Sequence, residues 1–234
     1  MSHQRDIQTP ALEPAGPELK LVPGAVIDGY QVKRQLGAGA MGEVYLALDL
    51  QLGRKVALKF VKTGHLSASA LERFVEEARL TARFAHPHIV TVYGAGIHLA
   101  RPYIALEFLD GGTLRERVEH GPMPVREVMR VGRAIAEALA EAHKHGVIHA
   151  DLKPDNVVLP RDGRPRVVDF GVARLVGSTS DTASGTPAYM APERWASAPP
   201  APPMDVWALG ILLCECLDGT RPLTDKELVR MAYE

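Results

Sequence analysis

Hydrophobic and polar residues alternate in the first half of the chain, which is the period of a β-strand with one buried face. Four runs show this alternation, at residues 30–36, 44–48, 55–61 and 102–109. Glycine-containing turns separate the first three runs, as expected between neighbouring strands. The pattern predicts a mainly β first half that ends at Asp110-Gly111-Gly112, which we interpret as a flexible hinge between two domains.

The strand predicted at 55–61 carries a lysine in an unusual position. Alternation places Ala57 and Lys59 on one face, and the apolar residues Val56, Leu58 and Phe60 on the other. A lysine on the inward face of an apolar strand needs a charged partner, whereas a lysine at a solvated edge needs none. The strand alone leaves both interpretations open.

A helix is predicted to follow the third strand. It begins at Ser69-Ala70-Leu71-Glu72, which has the form of a capping box, and its apolar residues recur with the 3.6-residue period of a helix. Glu76 and Glu77 both lie on this helix. Either glutamate is a candidate partner for Lys59, although simple exposure is the ordinary expectation for a helix glutamate.

The second half of the chain is predicted to be mainly helical. Helical periodicity covers residues 125–145 and 204–217, and short apolar runs at 157–159 and 167–168 predict strands. Thr113-Leu114-Arg115-Glu116 and Thr224-Asp225-Lys226-Glu227 have the capping-box form and mark two further helix starts. The Ser/Thr/Gly-rich segment 176–187 has the composition of a mobile loop.

Composition and charge are those of an ordinary globular protein. Hydrophobic residues make up 46% of the chain, charged residues 24%, and the formal net charge is −1, so no global field favours nucleic acid or a membrane surface. We expect neither a membrane-spanning segment nor a signal peptide. Cys214 and Cys216 lie two apart on a predicted helix and face different sides, which disfavours a disulfide. These features predict a cytoplasmic protein.

Residues 1–28 are predicted to form a flexible tail, because prolines interrupt any periodicity at Pro10, Pro14, Pro17 and Pro23.

One short loop concentrates the candidate chemistry. Within His149-Ala150-Asp151-Leu152-Lys153-Pro154-Asp155-Asn156, Asp151 is a candidate proton acceptor, Lys153 a candidate partner for phosphate, and Asn156 a candidate metal ligand. The same residues also suit a plain polar turn bent by Pro154.

A glycine-rich turn joins the first two predicted strands. Gly37, Gly39 and Gly42 have the G-x-G-x-x-G spacing, which allows backbone N–H groups to approach phosphate oxygens. A strand and not a helix follows these glycines, which argues against a dinucleotide-binding fold. A hairpin turn without a ligand explains the spacing equally well.

Five motifs in order give the chain a family resemblance. They are Gly37-x-Gly39-x-x-Gly42-x-Val44, Val56-Ala57-Leu58-Lys59, His149-x-Asp151-Leu152-Lys153-x-x-Asn156, Asp169-Phe170-Gly171 and Ala191-Pro192-Glu193. The sequence resembles the eukaryotic-type protein kinases, in particular the bacterial serine/threonine kinases, from Tyr30 to about Pro222. The resemblance implies an α+β, two-lobed fold, with a small antiparallel β N-lobe that carries one main helix (29–109) and a mainly helical C-lobe (110–234).

The resemblance also implies that ATP binds between the lobes. Lys59 would contact its α- and β-phosphates and pair with Glu77, because Phe74-x-x-Glu77-Ala78 is similar to a phrase of the family. The other implied nucleotide-binding residues cover the phosphates or the adenine: Gly37, Ala38, Gly39, Gly42, Val44, Ala57, the gatekeeper Leu106, and Glu107 and Leu109 of the hinge segment.

The implied reaction is transfer of the γ-phosphoryl group of ATP to a protein serine or threonine, with autophosphorylation included. Asp151 would deprotonate the acceptor hydroxyl, Lys153 would steady the γ-phosphate, and Asn156 and Asp169 would hold Mg²⁺, with Mn²⁺ as an alternative. Asp-Leu-Lys-Pro at 151–154, with Gly185-Thr186, is similar to serine/threonine-specific members.

Two departures from the family pattern stand out. Ala150 occupies a position where the family often has an arginine that grips a phosphorylated loop, so we expect activity to depend little on phosphorylation of Ser178, Thr179, Ser180, Thr182 or Ser184. The helices that end the family's C-lobe have no counterpart before Glu234. The arginine on one of them, which in the family pairs with the equivalent of Glu193, also has no counterpart. We therefore expect a shortened C-lobe: either the sequence is a truncated version, or a partner or self-association covers the apolar surface, or the lobe is only marginally stable.

Two rival functions follow from these departures. The first is a pseudokinase-like module that binds nucleotide or a partner without turnover, because the C-lobe is incomplete. The second is a small-molecule kinase of the aminoglycoside-kinase type, against which Ala191-Pro192-Glu193 and Gly185-Thr186 argue.

Overall fold

The computed structural model describes residues 21–39, 42–61, 78, 82, 85–170, 186–195 and 198–233. In these ranges the first part is a six-stranded antiparallel sheet with the order β1-β2-β3-β4-β6-β5. Its strands are β1 Val26–Ile27, β2 Tyr30–Gly39, β3 Gly42–Asp49, β4 Arg54–Val61, β5 Val92–His98 and β6 Arg101–Glu107. All four strands predicted for the first half are therefore confirmed; the first three are longer than predicted or begin one residue earlier, and the fourth ends at Glu107 and not at Leu109.

The two faces of this sheet bury different side chains. On one face an apolar cluster fills the core, and it includes Tyr45, Leu58, Phe60 and Tyr103. The opposite face carries Val44, Ala57 and Lys59, since Val44 pairs with Lys59 across the β3–β4 ladder. The face assignment predicted from strand alternation in β4 is thus confirmed.

The predicted tail to residue 28 extends too far along the chain. Residues 21–28 are described, and β1 pairs with β2 through Ile27 and Tyr30. Ile27 is fully buried in the core of the sheet, which explains why this short strand is held in place. Residues 1–20 lie outside the described part of the chain.

The helix predicted to begin at Ser69 falls almost wholly outside the described residues. Within it, Ala78 is helical and buried, and the Ala82 N–H donates to the Ala78 carbonyl at 3.0 Å, which is an intrahelical hydrogen bond. Ala78 packs beside Val61 and Ile104, on the sheet face that carries Lys59.

The second part of the described chain is mainly helical. Its elements are β7 Gly111–Thr113, α1 Leu114–Glu119, α2 Val125–Lys144, β8 Val157–Pro160, β9 Arg166–Val167, α3 Pro192–Trp195, α4 Pro202–Asp218 and α5 Asp225–Tyr233, with 3₁₀ turns at Pro154–Asn156 and Pro187–Tyr189. Both predicted capping boxes are confirmed, at Thr113 and at Thr224. None of the helices in the described ranges is long and apolar enough to cross a membrane.

The sequence predicted as a hinge is partly a strand. Gly111 and Gly112 begin β7, which pairs with β8, so only the residues between Glu107 and Gly111 lie outside both sheets. A Cβ at Gly111 would lie 2.2 Å from the Leu159 carbonyl oxygen, so this glycine allows β7 to approach β8 closely. The composition of this segment suggested flexibility, but Gly111 is needed for strand packing.

Candidate active site

Lys59 lies in the middle of β4, with a paired strand on each side. Its neighbours across the two ladders are Val44 and Ile104. The side chain is buried, and its Nζ donates to the Asp169 Oδ2 at 2.5 Å. Lys59 is therefore the partnered lysine and not the solvated edge lysine. Glu77, its predicted partner, lies outside the described residues.

Asp169 reaches Lys59 from an uncommon backbone conformation. Its φ is 67°, in the left-handed region that few non-glycine residues adopt and that is found frequently at functional sites. The next side chain, Phe170, is buried in the core of the helical part, and its ring lies 4.8 Å from the His149 ring. Burial of Phe170 holds the backbone so that Asp169 turns towards the sheet.

Asp151 is surrounded by hydrogen-bond donors. Its Oδ2 accepts from Lys153 Nζ at 2.8 Å. Its Oδ1 accepts from the N–H of Thr186 at 2.8 Å and from the Thr186 hydroxyl at 3.0 Å, while Lys153 also donates to Thr186 Oγ1 at 2.7 Å. The carboxylate is buried, and these donors keep one of its edges aimed at Thr186. Asp151 is therefore bonded both to Lys153 within its own loop and to Thr186, 35 residues further along the chain.

The loop that carries Asp151 is fixed from below by α4. Asp205, which is 1% exposed, accepts from the N–H groups of His149 and Ala150 at 2.9 Å each. Its Oδ2 also lies 2.8 Å from His143 Nε2. The sequence signal that points to Asp205 is a carboxylate within a strongly apolar helix, where a buried aspartate needs hydrogen-bond partners.

His149 joins the Asp151 loop to the strand that precedes Asp169. Its Nε2 donates to the Val168 carbonyl at 2.9 Å, and its Nδ1 accepts from the Asp151 N–H at 3.3 Å. These partners assign the ring proton to Nε2. One buried imidazole therefore couples the positions of the two candidate carboxylates.

Asn156 and Asp169 come close together because β8 and β9 pair. The Val168 N–H donates to the Asn156 carbonyl at 2.9 Å, which places Asp169 one residue from this contact. The Asn156 side-chain nitrogen donates to the Asp151 carbonyl at 2.8 Å, and its amide oxygen remains as a ligand atom. One carboxylate and one amide oxygen suit Mg²⁺, which binds few protein ligands and completes its shell with phosphate and water. This donor set fits the predicted metal.

The glycine-rich turn has two kinds of glycine. At Gly37 and Gly39 an added Cβ would meet nothing within 4 Å, so packing does not explain these residues. Gly42 has φ 140°, and its Cβ would lie 1.9 Å from the Phe60 carbonyl oxygen. The third glycine is therefore required for packing of β3 on β4, which the motif alone did not reveal.

Comparison with known proteins agrees with this geometry. The family model for the protein kinase domain matches residues 30–233. The chain belongs to this family. Among curated relatives, it is similar to serine/threonine-protein kinase PknL of Mycobacterium tuberculosis, with 37% identity over 217 residues, which is 90% of this chain and 54% of PknL. It is also 34% identical to serine/threonine-protein kinase PrkC of Bacillus subtilis over 88% of this chain and 33% of PrkC.

Solved structures confirm the kinase fold. A crystal structure of the M. tuberculosis PknI kinase domain matches with a TM-score of 0.74 and 33% identity, covering 88% of this chain and 78% of that chain. The predicted combination of an antiparallel β N-lobe and a helical C-lobe is thus confirmed. This chain spans about half the length of PknL.

Proposed function

We propose that this chain transfers the γ-phosphoryl group of Mg-ATP to serine and threonine hydroxyls of proteins. The observation that carries this proposal is the coupling of two charged pairs, Lys59–Asp169 and Lys153–Asp151, through His149. The first pair suits a nucleotide triphosphate and its metal, and the second suits an acceptor hydroxyl. Membership of the protein kinase family supports the assignment.

In the proposed reaction, Asp151 orients the acceptor hydroxyl and takes its proton. Its Oδ1 and Oδ2 are held by Thr186 and Lys153, so its orientation is set before a substrate arrives. Lys153 is then placed to counter charge on the transferring phosphoryl group. A small cleft, lined by Asp151, Thr186 and Met190 among others, opens beside the base and would receive part of the acceptor segment.

The proposed nucleotide site uses the sheet face that carries Lys59. Val44, Leu46 and Ala57 share this face and would cover the adenine, while Gly37, Ala38 and Gly39 would lie over the phosphates. At the hinge, the Glu107 N–H already donates to the Thr91 carbonyl at 2.8 Å, so a backbone N–H for the adenine would come from a later residue such as Leu109. Mg²⁺ held by Asn156 and Asp169 would supply charge neutralisation of the phosphates.

Phosphate transfer from labelled Mg-ATP to the chain itself and to a generic protein tests this proposal. We expect transfer that falls about 10²–10⁴-fold in Asp151→Asn, because the variant loses its general base while keeping its size. Nucleotide binding should persist in Asp151→Asn and weaken in Lys59→Met. Equal transfer by the wild type and Asp151→Asn, with nucleotide binding retained, would instead support the pseudokinase-like module.

The conformation of Ala150 supports a second proposal, which concerns regulation of the activity by phosphorylation. It has φ 63°, and its N–H is held by Asp205, so the loop reaches this conformation without a phosphate-binding arginine beside Asp151. Activity is therefore expected to depend little on phosphorylation of Ser178, Thr179, Ser180, Thr182 or Ser184, all of which lie outside the described residues. A large activation by phosphorylation that disappears when these five residues become alanine would contradict it.

We further propose that the chain acts in the cytoplasm and associates through α4. The free thiols of Cys214 and Cys216 support a reducing compartment such as the cytoplasm. On α4, Val206 and Leu217 are exposed and mark where the predicted self-association or partner would cover apolar surface. A dimer in sedimentation experiments that is lost in Val206→Glu would support self-association there.

A further inference from the structure

A second buried polar cluster lies at the other end of α4, away from Asp205. Glu215 is 4% exposed, and its Oε1 accepts from Arg115 Nη1 at 2.7 Å. Its Oε2 accepts from the Tyr189 hydroxyl at 2.5 Å, and Arg115 Nη2 donates to the same hydroxyl at 2.5 Å. Arg115, Tyr189 and Glu215 therefore form a closed triangle that joins α1, the 3₁₀ turn Pro187–Tyr189 and α4.

The triangle satisfies groups that would otherwise be costly to bury. Both oxygens of the Glu215 carboxylate have a donor, and Arg115 uses the two arms of its guanidinium on different acceptors. Burial, and then the hydrogen bond to Glu215, raise the pKa of Tyr189 well above its ordinary value of 10.0. The phenol therefore remains a neutral donor over the whole working pH range.

Two series of contacts connect this cluster with Asp151. Tyr189 follows Thr186 by three residues, and Thr186 donates twice to Asp151 Oδ1. On the other side, Arg115 Nε donates to Asp155 at 3.4 Å, and Asp155 lies in the 3₁₀ turn with Asn156, whose amide donates to the Asp151 carbonyl. Arg115 thus contacts both chain segments that flank the base.

We propose that Arg115, together with Glu215 and Tyr189, is a positioning residue for the acceptor side of the reaction. It fixes the segment that begins at Thr186 across Asp151 and so sets the wall of the cleft into which the protein substrate inserts its hydroxyl. Tyr189 and Met190 both line that cleft. The proposal rests on the proposed kinase function, and it concerns the protein substrate and not the nucleotide, because no member of the triangle lies on the sheet that carries Lys59.

Tyr189→Phe is the sharpest variant, since it removes one oxygen and keeps the buried ring. We expect kcat/KM for a protein substrate to fall about tenfold, with KM for ATP unchanged. The double variant Arg115→Met/Tyr189→Phe should lose little more than either single variant, because both act through one network. Arg115→Lys should lose less activity than Arg115→Met, since lysine keeps the charge but cannot bridge two acceptors at once.

The chain offers a matched control on the same helix. Arg117 has a side chain 29% exposed, against 26% for Arg115, and it pairs with Glu127 at 3.0 Å. Arg117→Met removes a similar ion pair that does not reach the Asp151 loop. We expect it to leave both kinetic parameters unchanged, whereas equal effects of the two arginine variants would overturn the proposal.

A readout without turnover separates this proposal from the kinase function itself. The Thr186 amide donates to Asp151, so its hydrogen exchange, followed by NMR, reports whether the segment stays in place. We expect faster exchange at Thr186 in Tyr189→Phe and no change in Arg117→Met. Unchanged exchange in Tyr189→Phe overturns the positioning role even if activity is lost. Faster exchange in a chain whose wild type transfers no phosphate would leave the positioning role standing and refute the kinase function.

Discussion

The two halves of the candidate site are positioned by different physical means. On the nucleotide side, Lys59 is set by the strand register of β4, with paired strands on both sides and an apolar core behind the sheet. On the acceptor side, Asp151 is set by polar contacts: the buried side chains of Asp205 and His149 hold its loop, and Thr186 donates to its carboxylate.

This difference predicts which kind of substitution damages each half of the site. A strand register depends on many backbone hydrogen bonds and on close packing, so loss of a single side chain changes it little. A buried polar network depends on each member, because removal of one partner leaves buried donors or acceptors unsatisfied. Side-chain deletions should therefore damage the acceptor side most, and changes in backbone packing should damage the nucleotide side most.

The largest effect is expected from Asp205→Ala. The substitution leaves the N–H groups of His149 and Ala150 buried without their acceptor, at about 1–3 kcal/mol for each. We expect a clear fall in the free energy of unfolding, measured by urea denaturation, together with loss of phosphate transfer.

Asp218→Ala provides the control for this variant. Asp218 is exposed near the end of the same helix, so its loss should leave the urea midpoint within experimental error. If both aspartate variants unfolded alike, the acceptor half would not depend on buried hydrogen bonds in the way described.

Gly42→Ala is the corresponding test on the nucleotide side. Its Cβ would collide with the Phe60 carbonyl, so β3 and β4 must separate or the residue must change its φ. Overpacking of this kind costs about 1–3 kcal/mol. We expect a lower melting temperature and a higher KM for ATP.

At Gly37 the same substitution meets open space. Gly37→Ala should therefore leave the melting temperature near that of the wild type. Equal destabilisation by the two alanines would show that close packing of β3 on β4 does not determine the nucleotide half.

A smaller, purely kinetic effect is expected at Thr186. Thr186→Val keeps the shape of the side chain but removes the hydroxyl that bridges Asp151 and Lys153. Removal of a hydrogen bond to a charged group is expected to lower kcat about tenfold or more. Thr186→Ser should recover most of the rate, and failure of serine to do so would mean that the methyl group matters more than the hydroxyl.

The smallest effect concerns His86, at the junction between the two halves. Burial, with a further contribution from His88, lowers the pKa of His86 below its ordinary value of 6.5. The unfolded chain therefore binds this proton more readily, and stability falls as the pH drops through 6.5 towards the lower folded pKa.

His86→Gln should flatten the dependence of the melting temperature on pH in this range. An unaltered slope in His86→Gln would assign the acid sensitivity of the junction to other groups.

Much of the fold and the motif residues could be predicted from the sequence, because strand alternation and capping boxes are local signals. Lys59, Asp151 and Asn156 stand in short motifs, and the alternation in β4 correctly assigned Lys59 to its face. What supports those residues could not be predicted in the same way. The partners of Asp205, Arg115 and Glu215 lie 26 to 100 residues away, and no local pattern encodes such contacts.

The β1 strand and the β7 strand were missed for a related reason. Proline and glycine suggested a tail and a hinge, yet the pairing of Ile27 with Tyr30, and of Gly112 with Leu159, provides hydrogen bonds that composition does not reveal. Tertiary pairing overrode local propensity at both places.

The two buried carboxylates of α4 also fix the number of residues that must separate them along the helix. Asp205 holds the loop before the base and Glu215 holds the segment after Thr186, ten residues and about 15 Å further along the helix axis. Inserting or deleting one residue between them would rotate Glu215 by about 100° about that axis. Evolution can therefore exchange side chains along the intervening two to three turns far more freely than it can change their number.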